Sequence, residues 1–151
     1  MNKLIIAAVI VLTVFVSVGF FYWQKNTMVM VIEPTPSPVT TTFGNDKIRV
    51  ISPVPNQIVE SPLQVNGKAV GIWYFEASFP VKLLDGNGKL IASTPAQAQS
   101  DWMTEDFVPF KATLIFDNPG TTTGTLVFQK DNPSGLPEHE EEIRMPIRFN
   151  N

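Results

Sequence analysis

Phe79-Pro80-Val81-Lys82-Leu83-Leu84-Asp85-Gly86-Asn87-Gly88-Lys89-Leu90-Ile91-Ala92 reads as two strands joined by a hairpin turn. Phe79, Val81 and Leu83 alternate with Pro80, Lys82 and Leu84. That period of two sends successive side chains to opposite faces of a strand. Asp85-Gly86-Asn87-Gly88 then supplies residues that tolerate positive φ, as a tight reversal demands. The same four residues look like part of a calcium loop, yet they lack the spaced acids and distant bidentate Glu of such a loop. The hairpin accounts for them better.

The pattern repeats on either side. Ile48 and Val50 alternate with Lys47 and Arg49, and Leu63 and Val65 with Gln64 and Asn66, ending at Gly67. Ala112, Leu114 and Phe116 alternate with Lys111, Thr113 and Ile115; Met145, Ile147 and Phe149 alternate with Arg144, Pro146 and Arg148. Turn-forming runs separate them: Ser52-Pro53-Val54-Pro55-Asn56, Asp117-Asn118-Pro119-Gly120 and Asp131-Asn132-Pro133-Ser134-Gly135. Seven or so short strands at this spacing predict an all-β fold, an antiparallel sandwich. No amphipathic helix and no internal repeat is visible. Pro146 has no amide to donate, which predicts an edge position or a bulge, and an exposed edge near Met145–Phe149 would allow self-association by strand addition.

Ahead of this domain, Leu4–Trp23 is an uncharged run long enough, at about 1.5 Å per residue, to cross a bilayer's hydrocarbon core. A cleaved signal peptide is the rival, with Lys3 as its basic start and Ser17-Val18-Gly19 as a cleavage site. The run continues through Phe20, Phe21, Tyr22 and Trp23, aromatic residues suited to a membrane–water interface, so a retained single-pass anchor is the expectation. The division is therefore anchor at 1–23, Pro/Thr-rich linker at 24–45 and β-sandwich at 46–151. Pro34, Pro36 and Pro38 followed by Thr40-Thr41-Thr42 favour an extended polyproline stalk. Lys3 before the run and a long domain after it place the domain outside the cytoplasmic membrane.

Formal charge is −3 for the chain, with 9 Lys+Arg against 13 Asp+Glu in the domain. This argues against a nucleic-acid partner, which needs clustered basic residues, and gives no support to docking on anionic lipid. No cysteine is present, so disulfides, thiolate metal sites and thiol nucleophiles are excluded.

Three blocks carry a resemblance. Gly71-Ile72-Trp73-Tyr74-Phe75-Glu76-Ala77-Ser78-Phe79-Pro80-Val81 is the first, and Ala96-Gln97-Ala98-Gln99-Ser100-Asp101-Trp102-Met103-Thr104-Glu105-Asp106-Phe107 the second. The third is Gly124-Thr125-Leu126-Val127 running into Lys130-Asp131-Asn132-Pro133-Ser134-Gly135. With Ile48-Arg49-Val50 and Ser52-Pro53, these blocks resemble the immunoglobulin-like domain of bacterial spore germination, over roughly 46–149. The resemblance implies an immunoglobulin-like sandwich in an exported envelope protein. Such domains often stand beside a germination-and-sporulation (GerM-type) domain, a neighbour not read in these residues. It supplies no catalytic or ligand residues.

The residues themselves offer weak chemistry. Asp101, Glu105 and Asp106, flanking Trp102, present either a Ca²⁺ or acid/base cluster or, more simply, a strand corner. In the corner reading Trp102 and Phe107 are buried while the acids are solvated or cap backbone amides. Trp73-Tyr74-Phe75 could stack on sugar or peptide, but a Trp on a central sandwich strand is more often core filler; strict alternation puts Trp73 and Phe75 on one face and Tyr74 on the other. His139 is the sole histidine and lies in an acidic loop. No nucleophile elbow, phosphate loop or metalloprotease helix occurs, so neither an enzyme nor a cofactor or metal is expected. The candidate binding residues are Tyr74, Trp102, Glu105, Asp106, Asp131 and Asn132. The expected role is a membrane-tethered module that binds an envelope protein or peptidoglycan, with a link to germination implied by the resemblance; a self-associating spacer is the alternative.

Overall fold

The computed structural model describes residues 42–150, so the anchor and the linker through residue 41 lie outside the described residues. Among those described, no helix is long and apolar enough to cross a membrane. The described part is all-β, with nine strands. They are β1 (Phe43–Gly44), β2 (Ile48–Ser52), β3 (Ile58–Val59), β4 (Leu63–Val70), β5 (Ser78–Asp85), β6 (Leu90–Ala98), β7 (Phe107–Leu114), β8 (Thr123–Gln129) and β9 (Glu142–Phe149). Two single 3₁₀ turns, Gly71–Trp73 and Pro137–His139, are its only helical pieces.

Hydrogen bonding runs in the order β1-β2-β4-β7-β6-β5-β8-β9-β3. The link between β6 and β7 is short, at Gln97↔Lys111 and Ala98↔Phe110. The sheet turns there, so β1-β2-β4-β7 faces β5-β8-β9 across one core. Phe79 of β5 meets Phe110 of β7 edge-on with ring centroids 5.0 Å apart, and Phe110 in turn lies 6.2 Å from Phe128 of β8. Ile48, Val50, Val65, Val81, Leu83, Leu114, Leu126, Met145 and Ile147 fill the space around these rings. The alternation expected from sequence holds in β2, β5 and β9, whose odd or even members are buried in turn.

The opening hairpin is present. Asp85 N donates to Lys89 O at 2.9 Å, and the Asp85 carboxylate accepts from Asn87 N and Lys89 N. That carboxylate is spent on closing the turn.

Four expectations need correction. The paired structure begins earlier than residue 46: Phe43 and Gly44, assigned above to the linker, pair with Val50 and Arg49. The strand containing Leu63 and Val65 does not end at Gly67 but runs to Val70. Gly67 is a packing position. A Cβ there would stand 2.3 Å from Arg49 O and 2.7 Å from the Phe110 ring. The sandwich is also not wholly antiparallel, because β3 runs parallel to β9, with Ile58 opposite Arg148 and Val59 opposite Phe149.

Finally, the edge at Met145–Phe149 is largely closed. Besides the β3 pairing, Asn56 N donates to Pro146 O at 2.8 Å and Arg148 N to Gln57 O at 2.9 Å. Pro146, expected at an edge or a bulge, lies in unbroken register with β8; a strand residue's N and O point the same way, so with its carbonyl accepting from Asn56 N its missing donor faces away from β8. Pro80 and Pro95 stand directly opposite one another. Such a pair suits an antiparallel position that exchanges no hydrogen bonds.

Replacing Gly67 by Ala should destabilise the domain by about 1–3 kcal/mol, because β2 or the Phe110 ring must move. Urea denaturation followed by tryptophan fluorescence measures this, and an unchanged midpoint would contradict the close packing.

Candidate functional site

β4 and β7 pair antiparallel over their full lengths, from Leu63↔Leu114 to Val70↔Phe107. One end of the sandwich therefore carries the segment that leaves β4 and the segment that enters β7. The first opens with the 3₁₀ turn Gly71–Trp73, closed by Tyr74 N donating to Gly71 O at 3.0 Å. This turn breaks the alternation expected for the aromatic block. Trp73 and Tyr74 both point inward, whereas Phe75 is 42% exposed. Trp73 and Tyr74 pack on Phe79 with centroids 6.3 and 5.2 Å away.

Tyr74 is thus removed from the candidate surface. It is 4% exposed, and its hydroxyl donates to Val108 O at 2.7 Å. Burial pushes its phenol well above the ordinary value of 10.0. Trp73 Nε1 is buried without an acceptor among the described residues, a cost the packing of its ring must exceed.

The second segment is fastened to the first at Gly71. A Cβ on Gly71 would fall 1.8 Å from Thr104 O and 2.4 Å from Trp102 O, so only glycine lets these backbones meet. Thr104 N donates to Trp102 O at 2.8 Å, a three-residue turn with Met103 at its apex. Met103 is 76% exposed and Ile72, beside Gly71, is 60% exposed. The acids behave as corner residues. Asp101 accepts from Met103 N at 3.1 Å, Thr104 Oγ1 accepts from Asp106 N at 3.2 Å, and Glu105 and Asp106 are exposed. Trp102 is half-buried against the core. Phe107, expected to be buried, is half-buried beneath Arg49 and Lys68, whose cationic groups stand 4.6 and 5.4 Å from its ring centre.

The third loop joins through Asp131, whose N–H donates to Trp73 O at 3.1 Å. Asn132 is occupied locally: Nδ2 donates to Leu136 O at 2.8 Å and Oδ1 accepts from Ser134 Oγ at 2.6 Å. His139 is exposed, with Nδ1 3.1 Å from Ser134 Oγ. Of the six candidates, Trp102 and Asp131 converge on the Gly71–Trp73 turn, Glu105 and Asp106 lie on its rim, Asn132 holds its own loop and Tyr74 is interior. Ile72 and Met103 were missed. Their signal was a large apolar residue beside turn formers, Gly71 in one case and Asp101 and Thr104 in the other. No three His, Asp or Glu side chains among the described residues come together to hold a metal.

A β-sandwich-like domain with loops gathered at one end has the build of an immunoglobulin-like module. The family model for the immunoglobulin-like domain of bacterial spore germination matches residues 47–136, more than half of the chain. The chain belongs to that family. No curated protein and no solved structure matches it.

Tyr74→Phe should cost about 1 kcal/mol, the net worth of one hydrogen bond. Because folding raises the phenol's pKa, Tyr74 contributes stability that is complete below the unfolded value near 10 and declines as pH rises above it. Denaturation midpoints from pH 8 to 11 should fall for the wild type more steeply than for the variant; parallel curves would contradict the burial of the phenol.

Proposed function

We propose that this protein is a membrane-anchored, extracytoplasmic binding module whose Ile72, Phe75 and Met103 surface engages an envelope protein, in a cell that builds spores. The observation that carries this reading is the exposure of those three apolar side chains on two segments locked together at Gly71. Apolar exposure also occurs elsewhere, at Ile58 and Ile115, but there no glycine-locked pair of loops presents it. Residues 71–81 and 90–110 hold Glu76, Asp101, Glu105 and Asp106 and no Lys or Arg, while Arg49 and Lys68 are engaged over the Phe107 ring. The partner surface is accordingly apolar with basic surroundings. With Trp73 and Tyr74 turned inward, the flat aromatic platform that sugar stacking needs is absent from this block, which favours a protein over a glycan. The uncharged run at Leu4–Trp23 and the proline-rich stalk support anchoring and outward display.

A structural spacer is the second reading, and one observation favours it. Over Leu90–Ala96, β6 pairs with β5 and has no strand on its other side among the described residues. A stable oligomer in sedimentation of the detergent-solubilised chain would support the spacer, and a monomer the binding module.

A photo-crosslinking residue placed at Met103 in living cells should give a discrete protein adduct that Phe75→Ser diminishes at least several-fold. Adducts with peptidoglycan would reassign the ligand, and none above a control at Lys111 would contradict a binding surface here. Protease added to spheroplasts should remove the domain; protection would overturn the orientation.

A further inference from the structure

The other end of the sandwich carries a cavity of about 200 Å³, lined by Val59, Glu60, Ser61, Phe116, Pro119 and Phe149 together with Asn118 and Asn150. It lies where β3 and β9 end and where the chain leaves β7. β4 spans the distance between this end and the Gly71 turn, so the two places are roughly 23 Å apart at about 3.3 Å per residue. Phe116 and Phe149 pack edge to face beside the cavity, with ring centroids 5.7 Å apart and planes inclined by 65°, and Phe149 is only 6% exposed, so Phe116 supplies most of the aromatic wall. The Phe149 ring is set firmly, because it lies over Gly124, where a Cβ would come within 2.5 Å of it.

The polar groups on this cavity include acceptors that local bonds use only in part. Glu60 Oε1 accepts from Asn150 Nδ2 at 3.2 Å, which leaves Oε2 without a bond among the described residues. Ser61 Oγ accepts from Phe116 N at 3.0 Å, and Asn118 Oδ1 accepts from Gly120 N at 2.9 Å. Two of the segments that supply the cavity, 53–62 and 112–122, contain Glu60 and Asp117 and no Lys or Arg, while the third, the end of β9, carries Arg148 beside Phe149. No lining residue is cationic.

We infer that this cavity binds an alkylammonium group. The half-buried Phe116 ring offers its π density to the cavity, and the exposed Glu60 carboxylate beside it supplies the counter-charge, the combination that recognises a cation on an aliphatic stem. An anion would be repelled by Glu60, and an uncharged alkyl group would leave the carboxylate unused. Apolar Val59 and Pro119 suit the stem. Two sources in the envelope carry this chemistry: a protein lysine side chain and the free amine of a diamino acid in a wall stem peptide. The site is independent of the Met103 surface, so either can fail without the other.

The test is a titration of the full chain, ¹⁵N-labelled in nonionic detergent micelles, with Nα-acetyl-lysine methylamide, with a stem tripeptide ending in meso-diaminopimelate, and with Nα-acetyl-norleucine methylamide. Saturable shifts at Glu60, Ser61, Phe116 and Phe149 with either amine, and none with norleucine, are expected. At least tenfold tighter binding of the tripeptide would assign the wall as the source, and equal or weaker binding the protein side chain. Glu60→Gln, at an exposed position that leaves the rings in place, should weaken amine binding about tenfold. No shifts at 20 mM amine, equal binding of norleucine, or unchanged affinity in Glu60→Gln would overturn the inference.

Discussion

Phe79 is the ring on which the rest leans. It is fully buried, and it touches Trp73 and Tyr74 from the loop after β4 and Phe110 from the facing layer. Aromatic side chains bury large areas with few rotatable bonds, and edge-to-face pairs add roughly 0.5–1.5 kcal/mol each. One residue thus joins the two layers and draws a loop into the core. The glycines follow from that arrangement. Gly67 makes room for Phe110, and Gly124 for Phe149. Gly71 lets the loop drawn in by Trp73 lie against the backbone of the next loop.

Function enters as what this packing leaves outside. Because Trp73 and Tyr74 are committed to the core, Ile72 and Phe75 on either side of them stay at the surface, held by a segment that cannot turn over without exposing two large rings. The same logic fixes Met103, at the apex of a turn pressed on Gly71. A surface arranged in advance loses less conformational entropy on binding than a loose loop would, so a small apolar patch can still be an effective contact. Its acids serve two purposes. Asp101 ties down the turn, whereas Glu105 and Asp106 are left to the solvent on the rim of the patch.

The strands were legible in the sequence because each is half-buried, and half-burial writes itself as alternation between punctuating Gly, Pro, Asn and Asp residues. Ile48 and Val50, Phe79 to Leu83, and Met145 to Phe149 all land on the core face as that pattern requires. Where contacts distant in sequence override local pattern, the reading went astray. Gly67 looked like a strand end because a glycine usually marks one, yet its cause is a ring from a strand more than forty residues away. Tyr74 looked outward because alternation was carried through a 3₁₀ turn that owes its shape to Trp73 and Tyr74 seeking Phe79. Phe43–Gly44 and the parallel pairing of β3 were invisible, since two-residue strands have no period to detect. The ammonium cavity had no local signature either: Glu60, Phe116 and Phe149 meet only through tertiary structure.

The most direct measurement is native-state hydrogen exchange at the amides that pin the loop end, those of Tyr74, Phe75, Ser78, Thr104 and Asp131. Each donates to a backbone carbonyl within this end of the sandwich. If the aromatic packing on Phe79 holds the surface in place, Tyr74, Ser78 and Asp131 exchange with opening free energies approaching that of global unfolding. Exchange at the rates of an unstructured peptide, in a domain whose strand amides remain protected, would show the loop end to be loose and would contradict the account.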